Sequence, residues 1–202
     1  MTLTLAAFGD FPILTLQIGS PNSSWERAVS RILAFRPELV HPTVFIAPGV
    51  HVLGDVTVGE DSSLWFNAVV RGDTEAVRIG RGSNIQDGCI LHSDPGFPCV
   101  LGDNVTLAHA AIVHGATVED NVMIGMRAVI MNGARIGANS IVGVGAVVTA
   151  GTQIPPRSLV LGIPAKVRRK LEENEDEVIL RTARHYVNEA REFLKAYQRT
   201  TT

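Results

Sequence analysis

Aliphatic residues recur every six positions through most of this chain, and that period excludes most folds. Val40, Ile46, Val52, Val58, Leu64 and Val70 form a first run, and Ile79, Ile85 and Leu91 a second. Leu101, Leu107 and Val113 follow, then Val118, Ile124, Ile130, Ile136, Val142, Val148, Ile154 and Val160. A six-residue period matches neither an α-helix nor a plain alternating strand. It matches a strand of roughly three or four residues, then a turn, repeated along a solenoid. Three units make one triangular coil of about 18 residues, stacked on the next at about 4.8 Å. The first residue of each unit points into the prism. The fifth, small in Ala128, Ala134, Ser140 and Ala146, fits the tight interior beside a corner.

Composition agrees with such a thin core. Nineteen glycines allow many turns, and aromatic residues are only 5%. Hydrophobic residues at 46% and charged residues at 19% indicate a globular chain. The net charge is -2 with no Lys/Arg block, so neither nucleic acid nor an anionic membrane is an expected partner. Apolar runs fall short of a membrane span. The N-terminus lacks a basic start and carries Asp10, unlike a signal peptide. Cys89 and Cys99 form neither a CxxC motif nor a disulfide framework, which fits a reducing, cytoplasmic location.

Three parts are expected: an N-terminal extension over 1–38, the β-helix over 39–166, and a C-terminal segment over 167–202. In the extension, residues 23–35 have one helical face of Trp25, Ala28, Val29, Ile32 and Leu33. The prolines of IPPRSLVLGIPAKV are expected to stop the coil. The C-terminal helix, over 172–198, carries an apolar stripe of Ile179, Ala183, Tyr186, Val187, Ala190, Phe193, Leu194 and Tyr197. Such a stripe must cover something, and the flank of the prism is the natural partner.

The repeat slips three times, with steps of nine from Val70 to Ile79, ten from Leu91 to Leu101 and five from Val113 to Val118. All three slips lie in or beside residues 71–114, which hold His92, His109 and His114. His92 and His114 are each the second residue of units three apart, hence one coil apart. Both should point outward on one face, close enough to share an ion. His109 is the third residue of its unit, near the preceding corner, too far round the prism to join them within one chain. Three prisms around a threefold axis would bring His109 of one chain to His92 and His114 of the next. Three neutral histidines with an open fourth position make a catalytic zinc arrangement, which lowers the pKa of bound water to about 7.

Other residues here have structural readings beside functional ones. Arg71, Asp73 and Asp87 suit interface salt bridges or turns, and Gln86-Asp87-Gly88 is a turn signal. His41, His51 and His185 read as solvated surface side chains. Cys89, Met123, Met126 and Met131 read as packing.

The stretches WFNAVVRGD, IGRGSNIQDGCILH, GDNVTLAHAAIVHG and IGMRAVIMNGARIG together resemble the γ-class carbonic anhydrase family, over about residues 40–198 and including HYVNEAREFL. The resemblance implies a left-handed parallel β-helix, an exception to the usual crossover hand, and a homotrimer that interconverts CO2 and bicarbonate. It implies His92, His109 and His114 as ligands to zinc, or to iron or cobalt in some members. Gln86 matches the residue bonded to the reactive water, Asn84 the one orienting it, and Arg71 the bicarbonate-side arginine with Asp73 as its partner. Asp87 falls in the same motif. The chain resembles the compact subgroup without an acidic loop, since only SDPGFPC follows His92. Glu75 and Asp94 are the carboxylates nearest for passing protons to solvent, so slow turnover is expected. Two rivals differ in class. A hexapeptide acyltransferase would use one histidine as a base and no metal, and a non-catalytic assembly protein would keep metal and trimer without hydration activity.

Overall fold

A computed structural model describes the backbone of residues 2–8, 11–17 and 34–200. Thr2–Phe8 and Phe11–Gln17 pair as an antiparallel hairpin, in register from Thr2↔Gln17 to Phe8↔Phe11. The alternation in TLTL is a period-two signal that a search for helical faces passes over. The helix expected over 23–35 falls largely on residues 18–33, outside the described residues.

The body is a parallel β-solenoid with three faces. The first stacks Phe45–Ile46, Ser63–Leu64, Asn84–Ile85, Thr106–Leu107, Met123–Ile124, Ile141–Val142 and Ser158–Gly162. On the second, the start of His51–Val58 pairs with the start of Val69–Ile79, followed by Ile90–His92, Ile112–His114, Val129–Ile130 and Val147–Val148. The far ends of the two long strands begin the third face, which continues through Cys99–Leu101, Thr117–Val118, Arg135–Ile136 and Gln153–Ile154.

The six-residue aliphatics become three interior columns. Leu64, Ile85, Leu107, Ile124 and Val142 are all at 0% exposure on the first face, and Val70, Leu91, Val113, Ile130 and Val148 on the second. Each such side chain contributes roughly 1.5–3 kcal/mol on burial. Corners need left-handed backbone. One corner column runs Asn104, Asn121, Asn139 and Arg157, at φ +55° to +59°. The asparagine amides form a ladder, with Asn104 donating to Asn121 at 3.0 Å and Asn121 to Asn139 at 3.2 Å. Asparagine tolerates this conformation better than other non-glycine residues.

The three slips become three local devices. Between Val70 and Ile79 the chain stays one strand and the register shifts at a bulge beside Gly54 and Val56. Between Leu91 and Leu101 it makes an excursion closed by an Asp94–Phe97 bridge. Between Val113 and Val118 the corner is shortened at Gly115, φ +57°.

The parallel coil runs past Pro155 and Pro156, which occupy a corner, and ends at the turn that holds Pro164. Ser158–Gly162 still pairs in parallel with Ile141–Val142, and Ala165–Lys170 then returns antiparallel as the end cap. Proline costs a ladder hydrogen bond in a strand but none at such a turn. Met126 and Met131 are not packing residues but 46% and 37% exposed. Met131 directly follows interior Ile130, so alternation turns it outward.

The C-terminal helix, α1 (Asp176–Thr200), follows a single 3-10 turn at Glu173–Glu175, four residues later than its expected start. Arg169 bonds Glu175 at 2.6 and 2.8 Å, and Arg157 pairs with Asp176. The expected stripe lies on the first face, where Tyr186, Ala190, Phe193, Leu194 and Tyr197 pack against Phe45, Trp65 and Phe66. Trp65 meets Tyr186 and Phe193 edge-on, with centroids 5.4 and 5.2 Å apart.

Candidate metal centre

Parallel pairing of Ile112–His114 with Ile90–His92 sets His114 directly opposite His92. The interior neighbours Leu91 and Val113 force both imidazoles outward on the second face. Their rings meet edge-on, with centroids 5.0 Å apart. His92 Nδ1 lies 3.0 Å from His114 Nε2. The outer nitrogens are engaged as well, His92 Nε2 with Asp73 Oδ1 at 3.1 Å and His114 Nδ1 with Asn132 Oδ1 at 2.7 Å. Asn132 Nδ2 donates to Asp94 Oδ2 at 2.7 Å. At the other end Arg71 Nη1 donates to Asp73 Oδ2 at 2.6 Å. A continuous line therefore runs from Arg71 through Asp73, His92, His114 and Asn132 to Asp94.

Counting protons along this line tests whether it suits a cation. Asp73 Oδ1 accepts, so His92 Nε2 donates. The Asp94 carboxylate accepts from Asn132 Nδ2, which turns the amide oxygen to His114, so His114 Nδ1 donates. Two neutral imidazoles carry two protons, and both are used at the outer nitrogens. The inner nitrogens are then two lone pairs facing each other at 3.0 Å. That arrangement is repulsive without a positive charge between them. Tetrahedral zinc, with bonds of about 2.0–2.1 Å, holds neighbouring ligand atoms about 3.3 Å apart, so the pair needs only a slight opening. The donor set fits a metal of this type.

Asp73 is tuned in the same sense. Burial pushes its carboxyl up, but the Arg71 hydrogen bond and charge, its own backbone N–H and His92 together outweigh burial and hold it below its ordinary value. It stays an acceptor for His92.

His109 sits elsewhere, on the corner between the first and second faces, next to Ala110 at φ +58°. Its Nδ1 bonds Asp87 Oδ2 at 2.8 Å, and its side chain is about half exposed. Among the described residues, no three His, Cys, Asp or Glu of one chain group to hold a metal. One chain thus unites two of the three histidines and presents the third outward.

Asn84 and Gln86 lie beside His109, not beside the pair. They are buried at 1% and 3% exposure. Asn84 Nδ2 donates to Thr106 Oγ1 at 2.9 Å, Gln86 Nε2 to Asn84 Oδ1 at 3.0 Å, and the His109 backbone N–H to Gln86 Oε1 at 3.3 Å. The polar residues fall into two half-sites, Arg71, Asp73, His92 and His114 in one and Asn84, Gln86, Asp87 and His109 in the other. Cys89, buried with its thiol pushed up to about 12 by desolvation, is no nucleophile. Glu75 accepts from the Gly96 backbone at 3.0 Å and Asp94 from Asn132, so both carboxylates are engaged. Sequence reasoning passed over Thr106 and Asn132. Asn132 was hidden by the shortened corner, because Val113 pairs with Ile130, so the residue one coil beyond His114 is Met131 and Asn132 lies one place further.

The bacterial transferase hexapeptide (six repeats) family model matches residues 39–72 and 115–150. A Methanocaldococcus jannaschii protein named a probable carbonic anhydrase is 53% identical over 79% of this chain and all of its own length. A Geobacillus kaustophilus carbonic anhydrase is 46% identical, covering 79% of this chain and 87% of its own. A mitochondrial γ carbonic anhydrase of Arabidopsis thaliana is 40% identical over 74% of this chain and 56% of its own. Among solved structures, a hexapeptide transferase family protein from Anaplasma phagocytophilum superposes with TM-score 0.73 and 32% identity, covering 76% of this chain and 91% of its own. The solenoid is thus shared with transferases, and relatives named carbonic anhydrases match 74–79% of the chain at 40–53% identity. The chain belongs to the γ-class carbonic anhydrase family of hexapeptide-repeat proteins.

Proposed function

We propose that this chain catalyses the reversible hydration of CO2 to bicarbonate, at a metal held by His92 and His114 of one protomer and His109 of the next, in a homotrimer of left-handed β-helices. The observation that carries this reading is the His92–His114 pair, whose inner lone pairs face each other at 3.0 Å. Zinc is the expected metal, and iron or cobalt suits the same imidazoles. When bound, such an ion supplies the Lewis acidity that makes hydroxide available near neutral pH.

The chain's own residues supply position. Asp73 holds Arg71, whose planar fork of donors matches the oxygens of bicarbonate. Gln86 and Asn84, locked in a buried amide chain ending on Thr106, orient the attacking water with little reorganisation. The half-sites complement each other, since each chain presents a ligand pair and a separate amide–histidine corner. An outward apolar column of Val69, Ile90, Ile112, Val129 and Val147 runs along the face that carries the pair. Such a stripe supports burial against a second copy. Among the described residues no helix is long and apolar enough to cross a membrane.

The decisive experiment is stopped-flow CO2 hydration by metal-loaded, anaerobically prepared protein beside His109→Ala. Activity that requires metal and disappears in the variant is expected. A metal-loaded protein no faster than buffer would refute the enzyme and leave the assembly reading. The transferase name of a structural relative gives group transfer as the second reading. It predicts catalysis that survives metal removal.

A further inference from the structure

We propose that Asn132 and Asp94 are positioning residues that hold His114 in its metal-binding orientation, and that the short excursion after His92 serves to present Asp94 for this. The inference rests on the reading of His114 as a ligand. An amide can turn either way, and alone Asn132 would not choose between donating to His114 and accepting from it. Asp94 settles the choice, because a carboxylate accepts only. With Nδ2 bound to Asp94 Oδ2 at 2.7 Å, Asn132 offers its oxygen to His114 Nδ1 at 2.7 Å. His114 then carries its proton on Nδ1 and keeps Nε2 free to ligate.

The excursion is braced for this task. Phe97 N–H donates to the Asp94 carbonyl at 2.9 Å, closing the turn. Gly96 N–H donates to Glu75 Oε1 at 3.0 Å. Ser93, fully buried, donates to the Glu75 carbonyl at 2.8 Å and accepts from the Glu75 N–H at 3.2 Å. Room for the Asn132 amide comes from Gly115, where a Cβ would lie 2.4 Å from Asn132 Oδ1 and 2.8 Å from Phe97 Cβ. Two stretches far apart in sequence, and one glycine, thus converge on a single imidazole nitrogen.

The test is zinc affinity of the full-length protein, measured by competition with a chromogenic chelator. Compared are wild type, His114→Ala, Asn132→Ala, Asp94→Ala and the double swap Asp94→Asn with Asn132→Asp. Asn132→Ala is expected to weaken zinc by about 10–100-fold, the usual cost of losing the partner behind a ligating histidine. The swap keeps an acceptor on His114 and a donor–acceptor pair behind it, and should return to within a few-fold of wild type. A merely structural role would not give that recovery. Wild type that binds no zinc, or binds it as well without His114, overturns the metal-centre reading. Zinc binding that depends on His114 but stays within twofold in Asn132→Ala overturns the positioning role alone. Should Asn132→Ala fail to fold, Asp94→Ala and the swap decide: unchanged affinity in Asp94→Ala, or a swap no better than Asp94→Ala, refutes the proposal.

Discussion

Replacing Gly115 by alanine should damage the protein far more than the same change at Gly151, two coils further along the same corner. Both glycines have positive φ, +57° and +71°. Forcing alanine into that region costs about 1–2 kcal/mol, offset by roughly 0.4–1 kcal/mol from a stiffer unfolded chain. At Gly151 nothing lies within 4 Å of the added Cβ, so the net loss there should be about 1 kcal/mol or less. At Gly115 the Cβ would sit 2.4 Å from Asn132 Oδ1 and 3.0 Å from the Phe97 carbonyl oxygen. The amide must leave, giving up a bond to His114 worth about 1 kcal/mol and one to the Asp94 carboxylate worth about 1.5–3 kcal/mol. The total is about 3–5 kcal/mol. At roughly 2–4 °C per kcal/mol for a chain of this size, Gly115→Ala should melt about 6–20 °C lower and Gly151→Ala only a few degrees lower. Thermal unfolding of metal-free protein at matched protomer concentration measures both, since ligand and assembly each shift the midpoint. Equal losses in the two variants would refute the reasoning, because the backbone cost would then be the whole effect.

Other perturbations probe other parts. Arg169 and the Glu172 backbone hold the Glu175 carboxyl at about 2, against an ordinary 4.5; a depressed folded value means its stabilisation is complete above 4.5 and fades as pH falls toward 2. Glu175→Gln should therefore flatten stability against pH across that window, as read from urea midpoints. Cys89 and Cys99 are fully buried with thiols pushed up to about 12, so neither should react with an Ellman-type reagent until the chain unfolds. Trp65→Ala removes the ring against which Phe45, Tyr186 and Phe193 pack, and should cost about 3–5 kcal/mol with earlier proteolysis within the C-terminal helix.

The solenoid was legible because its core is one-dimensional. Ile85, Leu107 and Ile124 each repeat the same environment, so period alone assigns them to the interior. The His92–His114 pairing followed from the same counting, since coils stack in register. Corners were less legible. They are specified by backbone conformation more than by burial, and Met126 was misjudged there. The excursion after His92 was visible only as a break in count. What it does depends on Asn132, a residue 38 positions from Asp94 in sequence. The N-terminal hairpin escaped notice because it lies outside the repeat.

The spacing of His92 and His114 is written into the main chain. Gly115 N–H bonds the His92 carbonyl at 2.9 Å, and Ile90 N–H bonds the Ala111 carbonyl at 3.0 Å. Peptide groups act here as a ruler, and the loop over 93–98 hangs beside that ruler without setting its length. A longer or differently charged loop could be grafted at that point, with Asp94 kept, and the two imidazoles would keep their separation. Chain segments that tune the surroundings of the ion are therefore interchangeable parts, while the gauge that spaces its ligands is not.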